Sequence, residues 1–88
     1  MFYVYVLKSL KDGDFYIGST SDLRKRYVEH NKGESKSTKS RAPFGLVYYE
    51  AYRSERDARL REQKLKYRGQ ARVHLMRRIR ESVRLGES

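Results

Sequence analysis

Apolar residues along the chain fall into short unbroken runs near the start and middle, and recur every three or four positions elsewhere. The first run, FYVYVL from Phe2 to Leu7, has no polar residue. That predicts a strand covered on both faces and therefore central in its sheet. Alternation puts Tyr3, Tyr5 and Leu7 on one face and Phe2, Val4 and Val6 on the other. Lys11 to Asp14 carries Asp-Gly, a hairpin turn pair, and FYIG from Phe15 to Gly18 returns as an antiparallel strand. On it Phe15 and Ile17 face one way, and Tyr16 and Gly18 the other. Leu46 to Tyr52, LVYYEAY, has the aromatic and branched content of a third strand.

The periodic stretches predict helices. Ser19-Thr20-Ser21-Asp22 offers N-cap residues for a helix to about Asn31, with Gly33 as its stop. Leu23 and Tyr27 form its apolar stripe, and Arg26 and His30, four apart, share a face beside Leu23. Ser54 followed by Asp57 resembles a capping box with a shorter acid. The helix it opens is expected to run to about Arg68 and stop at Gly69. Gln70 to about Leu85 reads as a third helix. Leu75, Met76, Ile79 and Val83 form its core face, among Arg72, Arg77, Arg78, Arg80 and Arg84. Those arginines read either as solvated or as a second phosphate patch.

Between the first helix and the third strand, Asn31 to Gly45 is a polar loop with Lys32, Lys36, Lys39 and Arg41. Loops of this length in a small domain tend to be functional or mobile. It reads as a solvated basic loop or as a flap contacting phosphates, and the overall charge favours the flap.

Eighty-eight residues make one domain. It is expected to span residues 1–85, with a frayed tail at 86–88. Lys and Arg number 21 against 11 Asp and Glu, for a net charge of +10. A field of that sign on so short a chain recruits polyanions, phosphate backbones above all. There is no cysteine, which excludes disulfides and thiolate metal sites. No run approaches the ~18 apolar residues of a membrane span. MFYVYV lacks the basic start and long apolar core of a signal peptide. A cytoplasmic, membrane-free protein is the expectation.

Two residues stand out chemically. Ala58, Glu62 and Leu65 form one helical stripe, and a carboxylate on an apolar stripe is costly unless paired, hydrogen-bonded or metal-bound. Glu62 is either an ion-pair partner of Arg61, Lys66 or Arg26, or a metal ligand facing the sheet. Gly18 is either a simple strand-end glycine or a position where a side chain would block a ligand.

Taken together, Tyr3-Val4-Tyr5, Tyr16-Ile17-Gly18, DLRKR with Arg26, His30 one turn later and Glu62 in LREQKLK closely resemble the GIY-YIG nuclease superfamily. The small, free-standing relatives of the excision-repair incision subunit are the nearest likeness. Tyr3 replaces the first glycine of the name motif, and no late polar residue of the kind family nucleases carry can be placed. The resemblance covers Tyr3 to Leu65. It implies an α+β fold, a small three-stranded antiparallel sheet flanked by helices. It also implies divalent-metal-dependent hydrolysis of DNA phosphodiesters, in repair or recombination processing, on branched, damaged or single-stranded DNA.

On that basis Tyr5 is the expected general base and Tyr16 orients water or phosphate. Arg26 would clamp a phosphate oxygen. Glu62 would hold Mg²⁺ or Mn²⁺. His30 either relays a proton or is a structural hydrogen-bonding residue. Gly18, Lys36, Lys39 and Arg41 are expected to position substrate. The competing expectations are a binding module with the same fold and little turnover, and an adaptor whose third helix docks a repair protein. Retention of every candidate catalytic residue favours the enzyme.

Overall fold

The FYVYVL run forms the middle strand, as its two covered faces require. A computed structural model describes residues 1–67 and 69–85. In it β1 (Phe2–Ser9), β2 (Phe15–Thr20) and β3 (Phe44–Tyr52) make an antiparallel sheet in the order β2-β1-β3. Helix α1 (Leu23–Asn31) follows β2, and α2 (Glu55–Lys66), α3 (Gln70–Arg78) and α4 (Arg80–Leu85) follow β3. This is the α+β architecture expected.

The two faces of β1 fill two separate cores. Val4 and Val6 are buried with Ile17, Ala58, Leu65, Leu75 and Ile79. Tyr5 and Leu7 are buried with Phe44, against Tyr16, Leu23 and Tyr27. Helices α2 and α3 therefore cover one face and α1 the other. Ala58 and Leu65 are almost fully buried and anchor α2. Burying a leucine contributes about 1.5–3 kcal/mol, while a surface ion pair contributes at most about 1. The apolar anchors therefore fix α2, and with it the position of Glu62 between them.

The helix starts follow their caps. Asp22 is the N-cap of α1, accepting from the Lys25 N–H at 3.1 Å. Ser54 caps α2, accepting from the Asp57 N–H at 3.2 Å. Gly33, at φ +74°, supplies the left-handed turn just past α1.

Several boundaries differ from expectation. Strand β2 does not end at Gly18 but runs on to Thr20, pairing Ser19 with Val4 and Thr20 with Tyr3. Strand β3 begins two residues before Leu46. Its first residue is held by side chains: the Phe44 N–H donates to Asn31 Oδ1 at 2.6 Å, and Phe44 O accepts from Tyr27 Oη at 2.9 Å and Asn31 Nδ2 at 3.2 Å. Helix α2 ends at Lys66, and the expected end at Arg68 lies outside the described residues, as does the 86–88 tail.

The third helix is two helices. Backbone at Ile79 leaves the helical region (φ −103°, ψ 20°) while its side chain stays in the core, and α4 turns to bring Val83 against the same cluster. The 31–45 loop is also more structured than a flap. It contains a 3-10 turn at Lys39–Arg41 and buries Ser35 and Thr38.

Candidate active site

Strand β2 is an edge strand, and the candidate residues meet along it from both sides. On the α1 face, Tyr5 lies opposite Gly18 and Leu7 opposite Tyr16. Paired residues project to the same side of an antiparallel sheet. The Tyr5 ring leans across to Gly18. A Cβ added at Gly18 would stand 2.5 Å from the Tyr5 hydroxyl oxygen and 2.7 Å from its Cζ. Gly18 is thus neither a strand end nor a bare approach for ligand. Its missing side chain is the room that the Tyr5 phenol occupies.

The Tyr5 hydroxyl sits 2.9 Å from His30 Nε2, and His30 Nδ1 sits 2.8 Å from Thr38 Oγ1. All three side chains are buried. Two tautomers satisfy this line. Either Nδ1–H donates to Thr38 and Tyr5 donates to Nε2, or Thr38 donates to Nδ1 and Nε2–H donates to Tyr5. Burial, reinforced by the Arg26 charge, holds the His30 pKa down at about 4. Burial and the neighbouring Tyr16 push Tyr5 up to about 12, with Arg26 pulling the other way. Near neutral pH the pair is a phenol beside a neutral imidazole.

Tyr16 is half-buried, its ring centre 5.0 Å from that of His30 and 6.4 Å from that of Tyr5. Arg26, four residues before His30 on α1, has its side chain a third exposed. It is steadied by Glu29 Oε1 and Ser35 Oγ, each at 3.3 Å. Its effect on the ionisation of both Tyr5 and His30 places its charge among them.

Glu62 comes from the other face. Ser19, next to Gly18 but pointing the opposite way, donates from Oγ to Glu62 Oε1 at 2.6 Å. Lys66 Nζ lies 2.9 Å from Oε2. Of the three partners that the sequence allowed, Lys66 is the one used. Arg61 pairs instead with Glu50 at 2.9 Å. The Glu62 side chain keeps 19% exposure, and its charge is felt at Tyr5 across the strand edge.

The loop residues divide. Lys36 and Lys39 are exposed. Arg41 is committed within the fold: its Nε donates to Asp12 Oδ2 at 2.8 Å, and its Cζ lies 5.8 Å from the Phe44 ring centre. That bond, with the Asp14 backbone, draws the Asp12 pKa down to about 2. Arg41 ties the 31–45 loop to the β1–β2 turn and is occupied there. Ser9 makes the same join from below, donating to Arg41 O at 2.6 Å.

Sequence reading missed Thr38, Ser35 and Ser19 as supports of the site. Thr38 and Ser35 lie in a loop without periodicity, so nothing marked them as buried. Ser19 was marked only as a cap candidate. Its place directly after YIG on an alternating strand carried the information that it faces α2.

Two tyrosines, a histidine and an arginine thus lie on one side of an edge strand, with a glutamate reaching round from the other. The family model of the GIY-YIG catalytic domain matches residues 1–81, and the chain belongs to this family. Over 65 residues it is 42% identical to a UPF0213 protein of Staphylococcus saprophyticus, covering 73% of this chain and 78% of that one. A UPF0213 protein of Clostridium perfringens is 45% identical over 67 residues, 75% of this chain and 71% of its own. The solution NMR structure of a UPF0213 protein from Bacillus halodurans superposes with a TM-score of 0.53 at 35% identity, over 86% of this chain and 82% of that one.

Proposed function

We propose that this chain is a divalent-cation-dependent endonuclease that hydrolyses DNA phosphodiesters in repair or recombination, on branched, damaged or single-stranded DNA. The observation that carries the reading is the convergence at the β2 edge of the Tyr5–His30–Thr38 line, Arg26 and Glu62. The charge of +10 supports a polyanionic substrate.

The donor set fits a hard cation of low protein affinity. No group of three His, Asp or Glu is gathered among the described residues. Glu62 offers a partly exposed carboxylate at the β2 edge, while Glu29 is taken up by Arg26. Mg²⁺ suits such a set, because it keeps several waters and completes its shell with substrate oxygens. Glu62 would hold it, and when bound it supplies charge neutralisation at the phosphate and at the leaving oxygen.

The chain's own groups do the rest. Arg26 presents a planar fork of donors to a non-bridging phosphate oxygen. Tyr16, half-buried beside His30, offers its hydroxyl to phosphate or water. In the tautomer with Nδ1–H on Thr38, His30 Nε2 accepts from Tyr5. Tyr5 can then take a proton from the attacking water as its own passes to Nε2. A free phenolate is expensive here: five units between pH 7 and about 12 correspond to roughly 7 kcal/mol. Protonating His30 instead costs about three units at pH 7, roughly 4 kcal/mol, which is the smaller penalty and is why His30 is assigned to the relay. Gly18 keeps the phenol in place. Lys36 and Lys39 gather flanking phosphates from the loop, and Arg41 holds that loop.

Labelled single-stranded, duplex, flap and four-way-junction DNA, incubated at low salt with Mg²⁺, Mn²⁺ or EDTA, tests the reading. Cutting confined to the divalent cations supports it. Salt-sensitive binding without cutting of any substrate points to the binding module instead.

A further inference from the structure

Glu62 and Lys66 stand one turn apart on α2, and both carboxylate oxygens are taken, Oε1 by Ser19 and Oε2 by Lys66. A solvent-facing i, i+4 pair would be unremarked, since such pairs contribute only about 0.3–0.5 kcal/mol. This pair is placed differently. The carboxylate is 19% exposed and aimed at the β2 edge, while the lysine is 50% exposed. Lys66 Nζ also lies 5.8 Å from the centre of the Tyr16 ring. The ammonium therefore stands at the mouth of the site, between the tyrosine side and the glutamate side. Its charge is neutralised by the residue that would hold the cation.

We infer that Lys66 is a DNA-phosphate ligand of this site, held in reserve by Glu62 and released when the carboxylate's charge is taken up. The inference rests on the proposed DNA substrate. Its physics is competition for one ammonium. The ammonium is half-exposed on a flexible four-carbon stem and can swing away from Glu62, and a substrate phosphate oxygen beside Tyr16 would be the other anion within its reach. Cation binding at Glu62 would free Lys66 in the step that also needs the phosphate held. A metal-free mimic of that release is Glu62→Gln, which keeps an acceptor for Ser19 and removes the negative charge.

The test is DNA binding in EDTA, followed by fluorescence anisotropy of a labelled single strand across a salt series. Five proteins are compared: wild type, E62Q, E62Q/K66Q, E62Q/K66R and E62Q/K64Q. Lys64 is an exposed lysine on the same helix and controls for bulk charge. Each phosphate contact adds about 0.7 to the log–log salt slope on single strands. E62Q should bind more tightly than wild type with a slope steeper by about 0.7. K66Q in that background should return the slope to the wild-type value, K64Q should not, and E62Q/K66R should keep the steep slope. Equal slopes for E62Q and E62Q/K66Q, with both proteins folded by circular dichroism, overturn the inference while leaving the DNA reading standing. Absence of DNA binding by wild type and all variants at low salt overturns the DNA reading itself, and this inference with it.

Discussion

Buried neutral His30 should make the domain sensitive to mild acid. Its ordinary pKa of 6.5 falls to about 4 in the fold. Between those values the unfolded chain binds a proton that the folded chain refuses. Stability therefore rises with pH across the window and is lost as pH falls, flattening once the folded group protonates too. Integrating the two titrations gives a loss of about 2 kcal/mol between pH 7 and pH 5, and about 3 kcal/mol in full. His30 is 0% exposed, so solvent does not screen this loss. The direction at Glu50 and the value at Asp12 place those carboxylates' protonation at or below the ordinary carboxylate range, under most of this window. Urea unfolding at closely spaced pH values measures the effect. His30→Gln keeps an amide near Tyr5 and Thr38 but cannot titrate. It should be less stable than wild type at pH 7 and show a much flatter dependence between pH 7 and pH 5. A wild-type curve as flat as the variant's would refute the assignment of a neutral, desolvated imidazole, and the relay role with it.

Gly18→Ala puts a methyl 2.5 Å from the Tyr5 oxygen and 3.1 Å from the Tyr16 ring, against side chains packed on the α1 face. A loss of about 1–3 kcal/mol is expected, from overpacking. Cleavage should fall further than stability, because the displaced group is Tyr5; parallel melts and rate measurements would separate the two. Ser19→Ala removes the 2.6 Å bond that aims Glu62 and should lower kcat about tenfold, a change of about 1.4 kcal/mol in the barrier, with stability nearly intact. The double change Lys36→Gln and Lys39→Gln should flatten the salt dependence of single-strand binding by up to about 1.4, since each lysine accounts for about one phosphate. Arg41→Gln should leave that slope unchanged and instead lower the melting temperature, because Arg41 is spent on Asp12.

The parts of this fold governed by alternation and capping were legible beforehand. The two-faced FYVYVL run, its partition into Tyr5 and Val4 faces, and the caps at Asp22 and Ser54 all follow from local rules. What escaped depends on contacts made across the chain. The Asn31 amide extends β3 back to Phe44 by standing in for a strand, 13 residues away. Arg41 looked like one more loop cation until Asp12, 29 residues earlier, came within reach. Gly18 had two sensible readings, and the structure supplied a third, because the occupant of its empty space is a side chain from the neighbouring strand. Glu62 was marked as anomalous by its stripe. That it turns round the edge of β2 could not be read from helical spacing, since spacing gives a face but not which strand lies beside it. The break at Ile79 carries no glycine or proline to announce it; core packing on both sides of the turn keeps the side chain buried.

The most direct measurement of the central claim is single-turnover cleavage by wild type and Glu62→Gln on whichever DNA structure the panel identifies, with binding followed on the same samples. The account predicts Mg²⁺- or Mn²⁺-dependent cutting by wild type, a loss of at least about 100-fold in the variant, and DNA binding retained or tightened. Cutting that persists at the wild-type rate in Glu62→Gln, or that continues undiminished in EDTA, would contradict it.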